Sequence, residues 1–215
     1  MTGPILFINP NSSRKVTDSI AQAVRPFASA WDAGFECLTL DDGPATIATD
    51  LDVAHAGLAL SRLVQERSDA AAYVVGCFSD PGLETMRSLT DKPVLGLQQA
   101  GILAAMSRAD QFGIISLGPS AKVRHRLMLR QAGVSQRFVG SVDLGGASAE
   151  SVGYDPDTFE KSCAAGRRLV EMGADIVVLG CAGFAPQRRK IEAAVGVPVI
   201  DPVLAAAGLA LAACH

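Results

Sequence analysis

Two cysteines occupy matching places in the chain. Cys77 closes the apolar run "AAYVVGC" and Cys181 closes "DIVVLGC", so each thiol follows a glycine at the end of a predicted strand. Ser79 or Asp80 is a good helix cap after Cys77, and Pro81 suits the first helical position. A thiol beside a helix N-terminus has a lowered pKa and can exchange protons near neutral pH. We therefore expect Cys77 and Cys181 to form a catalytic acid/base pair.

Two proton-transfer groups on opposite sides of one small molecule predict the inversion of a carbon centre. One group removes a proton from a carbon next to a carbonyl, and the other returns a proton to the opposite face. The enolate oxygen formed in between needs N–H donors. The backbone amides around Phe78, Ser79, Ala182 and Gly183 are the candidate donors and substrate contacts.

The other three cysteines are expected to be structural. Cys163 follows Phe159 by one helical turn on an apolar face, Cys37 lies in a predicted strand, and Cys214 is next to the last residue. Five widely spaced cysteines without a CxxC motif argue against a disulfide framework or a structural zinc site. They favour a reduced, cytoplasmic protein.

Short apolar runs alternate with helical patterns along the chain. The predicted strands span residues 4–10, 35–40, 71–77, 93–97, 112–117, 138–144, 175–181 and 197–201. Several are almost continuously apolar, as parallel strands buried on both faces are. Strand–helix alternation of this kind predicts an α/β fold with parallel sheets.

Helix signals fill the gaps between the strands. Ser13 is placed to cap one helix, and apolar residues recur at helical spacing over residues 50–67. A third helix opens with an Asp155 cap and Pro156 in its first turn, and ends at Gly173.

The chain also appears doubled. The spacing between the two Gly-Cys pairs nearly equals the spacing between Pro93 and Pro198, which open the strands that follow them. Two similar α/β halves are predicted, one formed by residues 1–97 with 200–215 and the other by residues 98–199. Because ligands bind at the carboxyl ends of parallel strands, both cysteines are expected at one cleft between the halves.

Several other function classes find no support. A net charge of −3 without a basic cluster gives no nucleic-acid footprint. The N-terminus does not read as a signal peptide, and the apolar tail "PVLAAAGLALAACH" is too short to span a membrane. No phosphate-binding glycine motif is present. His55 and His125 each lie two residues beyond an apolar helix position, which predicts that both are solvent-exposed and that no metal site exists.

The motifs together resemble a known family. "INPNSS" near the start, "DGPATI" at 42–47, "CFSDPGL" at 77–83, "IVVLGCAGF" at 176–184 and "VPVID" at 197–201 resemble hydantoin racemases of the aspartate/glutamate racemase superfamily. The resemblance implies two flavodoxin-like halves around a central active-site cleft, no cofactor, a two-cysteine two-base mechanism, and a homo-oligomer. It implies that Cys77 and Cys181 transfer the protons, and that Asn11 and the amides beside the cysteines hold a small-molecule substrate.

The neighbours of the cysteines narrow the expected substrate. Amino-acid racemases of the superfamily typically show Cys-Asn-Thr and Cys-Thr-His, whereas this chain has Cys-Phe-Ser and Cys-Ala-Gly. A buried zwitterion would find few partners here, so a neutral cyclic ureide fits better: a 5-substituted hydantoin or allantoin. Ser79 stands where the family usually has glycine, and the segment 116–120 lacks paired threonines, of which Ser116 could keep one contact.

Two other functions remain open from the sequence. One is an amino-acid racemase, or a decarboxylase or isomerase of small dicarboxylates, within the same superfamily. A decarboxylase normally needs only one of the two cysteines. The other is a non-catalytic protein that binds a small molecule with the same doubled architecture.

Overall fold

Two four-stranded parallel sheets form the framework of the protein in a computed structural model that describes residues 2–214. The strands are β1 (Ile5–Asn9), β2 (Phe35–Thr39), β3 (Ala72–Val75), β4 (Val94–Gly96), β5 (Phe112–Ser116), β6 (Phe138–Asp143), β7 (Ile176–Leu179) and β8 (Val199–Ile200). The first sheet has the order β2-β1-β3-β4 and the second has the equivalent order β6-β5-β7-β8. All eight predicted strands are confirmed, as is the doubled α/β fold.

Helices connect the strands and cover the sheets. They are α1 (Arg14–Val24), α2 (Asp50–Glu66), α3 (Leu83–Leu89), α4 (Leu97–Met106), α5 (Ser120–Gln131), α6 (Ser151–Tyr154), α7 (Pro156–Glu171), α8 (Arg188–Val195) and α9 (Pro202–Cys214). Two of the predicted caps are confirmed: the Ser13 hydroxyl accepts a hydrogen bond from the Val16 amide, and the Asp155 carboxylate accepts one from the Thr158 amide.

The two faces of the first sheet pack into different cores. Leu6 and Ile8 point into a cluster with Leu60 of α2. The alternate residues Ile5 and Phe7 point the other way, into a large cluster that continues through the second sheet. Since successive side chains on a strand face opposite sides, these short strands are buried on both faces and join the two halves through one core.

Helices α4 and α9 cover the junction between the halves. α9 packs along α4 and against β3 and β4 of the first sheet, while α4 also contacts β7 of the second. The C-terminal helix therefore lies against the first sheet although it follows the second in the chain. No helix among residues 2–214 is long and apolar enough to cross a membrane.

The glycines that precede Cys77 and Cys181 make the same contact in each half. The Gly76 amide donates to the Ile8 carbonyl at 2.8 Å, and the Gly180 amide donates to the Ile115 carbonyl at 2.8 Å. A Cβ on Gly76 would stand 2.7 Å from the Ile8 oxygen, and one on Gly180 would stand closer still to the Ile115 oxygen. Only glycine lets the chain pass so near the neighbouring strand.

We expect Gly76→Ala and Gly180→Ala each to lower the free energy of unfolding by about 1–3 kcal/mol, because the added methyl group must displace strand backbone. Gly208→Ala is the matched control. Gly208 is exposed on α9 with nothing within 4 Å of an added Cβ, so alanine there should stabilise the helix by about 0.5–1 kcal/mol. Urea unfolding of the three variants measures both effects, and a neutral Gly76→Ala variant would contradict the close approach.

Candidate active site

Cys77 and Cys181 line one cavity of about 210 Å³. Cys77 lies just beyond the end of β3 and Cys181 just beyond the end of β7, so the cavity lies at the carboxyl ends of both sheets. This is the edge at which open parallel sheets bind their ligands, beside the point where the strand order reverses. The volume limits the ligand to a small molecule.

The two sulfurs have matching backbone partners. The Gly183 amide donates a hydrogen bond to the Cys181 sulfur at 3.4 Å, and the Ser79 amide, at the equivalent position, acts to lower the pKa of the Cys77 thiol. In both halves the donor is two residues after the cysteine. The chain therefore turns around each thiol in the same way, and N–H groups lie close to where proton transfer would occur.

Both thiols are neutral at physiological pH. Burial raises the pKa of Cys77 to about 11 and that of Cys181 to about 12, and the amide donors only partly offset this. The expectation of lowered pKa values was wrong, because desolvation of the thiolate outweighs the helix termini. After Cys77 the helix starts only at Leu83 and has seven residues. After Cys181 a short 3₁₀ helix (Ala182–Gln187) follows, and the next α-helix starts only at Arg188.

The predicted substrate contacts divide into two groups. Asn11, Phe78 and Ser79 lie on the cavity wall with the cysteines. The remaining three, Ser116, Ala182 and Gly183, do not line the cavity. Ser116 is fully buried and its hydroxyl accepts a hydrogen bond from Ser141. Substrate binding by any of the six residues remains a prediction.

Asn11 is held in a fixed orientation by its neighbours. Its Oδ1 accepts hydrogen bonds from Asn9 Nδ2 and from the Ser13 amide, both at 3.0 Å. Asn9 is fully buried at the end of β1 and also bonds Thr17 of α1. Since its carbonyl oxygen is engaged and Asn11 lines the cavity, the Nδ2 group is the part of this side chain left to donate to a ligand.

Asp80 fixes the turn that carries Cys77. Its carboxylate accepts hydrogen bonds from the Gln98 and Gln99 amides, each at 2.9 Å, and so caps α4 and not the helix that follows it. Its φ of 44° is the only positive value at a non-glycine position among the described residues, a conformation that Asp tolerates better than most residues. Burial raises the pKa of Asp80 to about 7. The turn 77–80 is thereby tied to the start of α4.

His125 lies in the wall of the cavity, contrary to the prediction of an exposed side chain. It is 2% exposed, and its ring packs edge-on against Phe78 with centroids 5.5 Å apart. Burial lowers its pKa to about 4, so the ring is neutral. The prediction took Val123 as the buried face of α5, but Val123 is 60% exposed and the helix turns His125 and Leu129 inward. His55 is exposed, as predicted.

Sequence reasoning missed Arg124, which is the charged side chain of the wall. Its Nη1 donates to Asp50 Oδ1 at 2.8 Å, and its Nη2 lies 3.4 Å from the Ala48 carbonyl. The sequence feature that could have indicated Arg124 is its spacing from Ser120, since the two residues lie one helical turn apart at the start of α5. Ser120 also donates to the Ala48 carbonyl, at 2.9 Å.

Segments of the two halves meet across the cavity. In addition to the contacts of α5 with residues 48–50, the Thr46 hydroxyl accepts a hydrogen bond from the Ala149 amide. Glu150 pairs with Lys15 at 2.6 Å and accepts a hydrogen bond from Ser13. Each half thus contributes a loop to the cavity wall, residues 46–48 from the first half and 146–149 from the second. Among the described residues, no group of three or more His, Cys, Asp or Glu side chains could hold a metal ion.

Comparisons with known proteins agree along the whole chain. The family model for Asp/Glu/hydantoin racemases matches residues 5–210. A hydantoin racemase from Paenarthrobacter aurescens is 36% identical over 211 residues, which cover 96% of this chain and 89% of that protein. A hydantoin racemase from Rhizobium meliloti is 32% identical, covering 96% of this chain and 86% of that protein. The structure of an allantoin racemase from Klebsiella pneumoniae superposes with a TM-score of 0.88 at 26% identity, covering 98% of this chain and 87% of that one.

The raised thiol pKa values predict the pH dependence of alkylation. Because only the thiolate reacts, the rate at which iodoacetamide modifies Cys77 should still rise about tenfold per unit from about pH 8 to about pH 10. An exposed thiol with an ordinary pKa of about 8.5 levels off in this range. Peptide mass spectrometry reads each cysteine separately. A plateau for Cys77 near pH 8 would contradict the dominance of burial.

The Asp80 cap predicts a coupled pair of substitutions. Asp80→Ala should destabilise the protein by about 0.5–2 kcal/mol, and it should also reduce activity by freeing the Cys77 turn. Asp80→Asn, which keeps an acceptor and tolerates the backbone, should be milder. A Cβ on Gly96 would occupy the position of the Asp80 carboxyl group.

Gly96→Ala should therefore mimic Asp80→Ala, and the double variant should lose little more than either single variant. Unfolding and activity measurements on the four proteins complete the cycle. Fully additive losses would show that the two residues act independently.

Proposed function

The chain belongs to the Asp/Glu/hydantoin racemase family and is a racemase, and we propose that it inverts carbon 5 of 5-substituted hydantoins, allantoin among them, by a two-cysteine mechanism. One observation carries the proposal: Cys77 and Cys181 reach a single cavity from equivalent positions in two repeated halves. Relatives that share over 30% of the residues are hydantoin racemases.

The proton transfers balance without a further reactant. The thiolate of one cysteine removes the proton from carbon 5, and the electrons of the C–H bond move toward the adjacent carbonyl to give an enolate. The thiol of the other cysteine then gives its hydrogen to the opposite face of carbon 5. The ring leaves as its mirror image, and the two sulfurs have exchanged protonation states.

The residues around the thiols supply the donors that the enolate needs. Ser79 and Asn11 line the cavity, so the Ser79 amide and the Asn11 Nδ2 group are the donors that can reach the enolate, while the Gly183 amide donates to the Cys181 sulfur. Preorganised N–H groups in a water-poor cavity stabilise developing negative charge better than water does. Burial holds both thiols neutral. The same exclusion of water strengthens the interaction of these N–H dipoles with the enolate.

The lining of the cavity favours a neutral ring over an amino acid. No Asp or Glu is among the described residues that line it, so the ammonium group of an amino acid would be buried without a counter-charge. Such burial is strongly unfavourable. The ring N–H and C=O groups of a hydantoin require only hydrogen-bond partners. A glutamate- or aspartate-type racemase remains the second candidate, and free amino acids belong in any activity test.

Single cysteine substitutions test the mechanism. Cys77→Ser and Cys181→Ser should each reduce racemisation of optically pure benzylhydantoin by about 10²–10⁴-fold, because serine is a far weaker base. In heavy water each variant should still exchange the C5 hydrogen of one enantiomer without inverting it, and the two variants should prefer opposite enantiomers. Circular dichroism follows inversion, and NMR follows exchange.

Cys37→Ser is the matched control, since burial also raises the pKa of the Cys37 thiol to about 11 but Cys37 does not line the cavity. It should keep full activity. A wild-type protein that neither inverts hydantoins nor exchanges their C5 hydrogen would overturn the proposal, and turnover of glutamate in its place would favour the second candidate. Loss of activity with only one cysteine substitution would favour a one-base reaction.

A further inference from the structure

Arg124 brings a positive charge to a cavity whose proposed ligand has a neutral ring. It lies on α5, and its side chain is mostly buried with its Nη1 on Asp50. Its Nε is buried and has no hydrogen-bond partner among the described residues. A buried N–H group without a partner is rare in native structures and calls for an acceptor. The guanidinium therefore has donor capacity that the protein leaves unused.

The partner that Arg124 does have is weakly engaged. The Asp50 side chain is 86% exposed, so water screens this ion pair and it contributes little. The Ala48 carbonyl is 3.4 Å from Nη2, which is a long hydrogen bond. A ligand oxygen that reached Arg124 inside the cavity would compete well with both contacts.

Arg124 lies at the rim of the cavity, and the thiols lie at its floor. The guanidinium reaches Asp50 in solvent on one side, while its charge acts on Cys77 and His125 on the other. The sulfurs and their amide donors belong to the strand ends at the bottom of the cavity. A molecule held between the sulfurs thus extends toward Arg124 with whichever group points outward.

That outward group is the substituent on carbon 5. Carbon 5 must lie between the sulfurs, and the ring carbonyl beside it needs an N–H donor of the cavity wall, such as the Ser79 amide or the Asn11 side chain. The C5 hydrogen lies along the line between the sulfurs, and the ring occupies the space beside them. The 5-substituent therefore extends into the part of the cavity away from the sulfurs. Ala48, Ser120 and Arg124 line the cavity together, since Ser120 and Arg124 both contact the Ala48 carbonyl.

We propose that Arg124 selects hydantoins whose 5-substituent ends in an acceptor oxygen, with a carboxylate preferred over a carboxamide or ureido carbonyl and an alkyl group last. This inference rests on the proposed racemase function and deepens it by naming the substrate class. A planar guanidinium binds carboxylate oxygens with charge-assisted hydrogen bonds, which are about twice as strong as neutral ones. An alkyl substituent would leave the Nε donor buried and unpaired.

Three hydantoins of similar size test the selection: 5-(2-carboxyethyl)hydantoin, 5-(2-carbamoylethyl)hydantoin and 5-isobutylhydantoin. The wild type should show kcat/KM falling in that order. Arg124→Leu should lower kcat/KM for the carboxyethyl substrate about 10- to 100-fold, lower it less for the carbamoyl substrate, and leave the isobutyl substrate within about threefold. The loss should appear mainly in KM, because Arg124 binds a part of the substrate that does not react.

Three control variants separate selection from a structural role. Arg126→Leu removes the same charge from an exposed position on the same helix and should change none of the substrates. Asp50→Asn breaks the ion pair across the rim but keeps the guanidinium, so it should preserve the preference for the carboxylate. Arg124→Lys keeps the charge without the fork and should retain part of that preference.

The outcomes distinguish this inference from the proposed function. Equal losses on all three substrates in Arg124→Leu would show that Arg124 holds the ring or the rim, and would overturn the selection. Unchanged kinetics in that variant would overturn it as well. A wild type that racemises isobutylhydantoin but discriminates against the carboxyethyl compound contradicts the selection while supporting the racemase. A wild type that racemises none of the three overturns the proposed function itself.

Discussion

Two backbone hydrogen bonds determine where the thiols lie. Gly76 and Gly180 each donate to the carbonyl of a neighbouring strand at 2.8 Å, and at each position the absence of a Cβ permits the approach. The next residue in both cases is the cysteine, so the contact that ends the strand also directs the thiol over the strand ends. Because the halves repeat the same strand order, the repeated contact gives two thiols on one cavity. The remaining features of the site depend on this placement.

Burial raises a difficulty that the proposed two-cysteine mechanism must resolve. A thiol acts as a base only when ionised, yet both sulfurs lie where a thiolate is poorly solvated, and the pKa values of both thiols are raised accordingly. The same lack of water strengthens every dipole aimed at a developing enolate. The C–H group next to a carbonyl is a weak acid, and its proton is removed more easily by a base of comparable strength. A strongly basic thiolate formed in small amounts is therefore suited to this chemistry.

The sequence alone predicted the α/β framework and the positions of the two cysteines, but it did not predict the side chains that form the cavity wall. Buried parallel strands are almost continuously apolar, and Ser13 and Asp155 cap helices through local hydrogen bonds, so these signals are complete within short segments. The inward turn of His125 depends on how α5 docks against Phe78, which is a contact between distant parts of the chain. The sequence suggested a local helix start at Asp80, but its carboxylate caps α4 instead. Thiol ionisation was misjudged for the same reason, because desolvation is a property of the folded cavity.

The two halves share a backbone plan but differ in the side chains that they bring to the cavity. The first half contributes Asn11, held by Asn9 and Ser13, and the second contributes His125 and Arg124 from α5. This difference suits a racemase. The two enantiomers can keep their ring and substituent in the same places while only the C5 hydrogen changes sides, so the walls need not be mirror images. Symmetry is needed only along the line between the sulfurs, and there the repeated Gly-Cys turns provide it. The wall residues can therefore differ between the two halves and determine which 5-substituent is accepted, without affecting the proposed proton transfer.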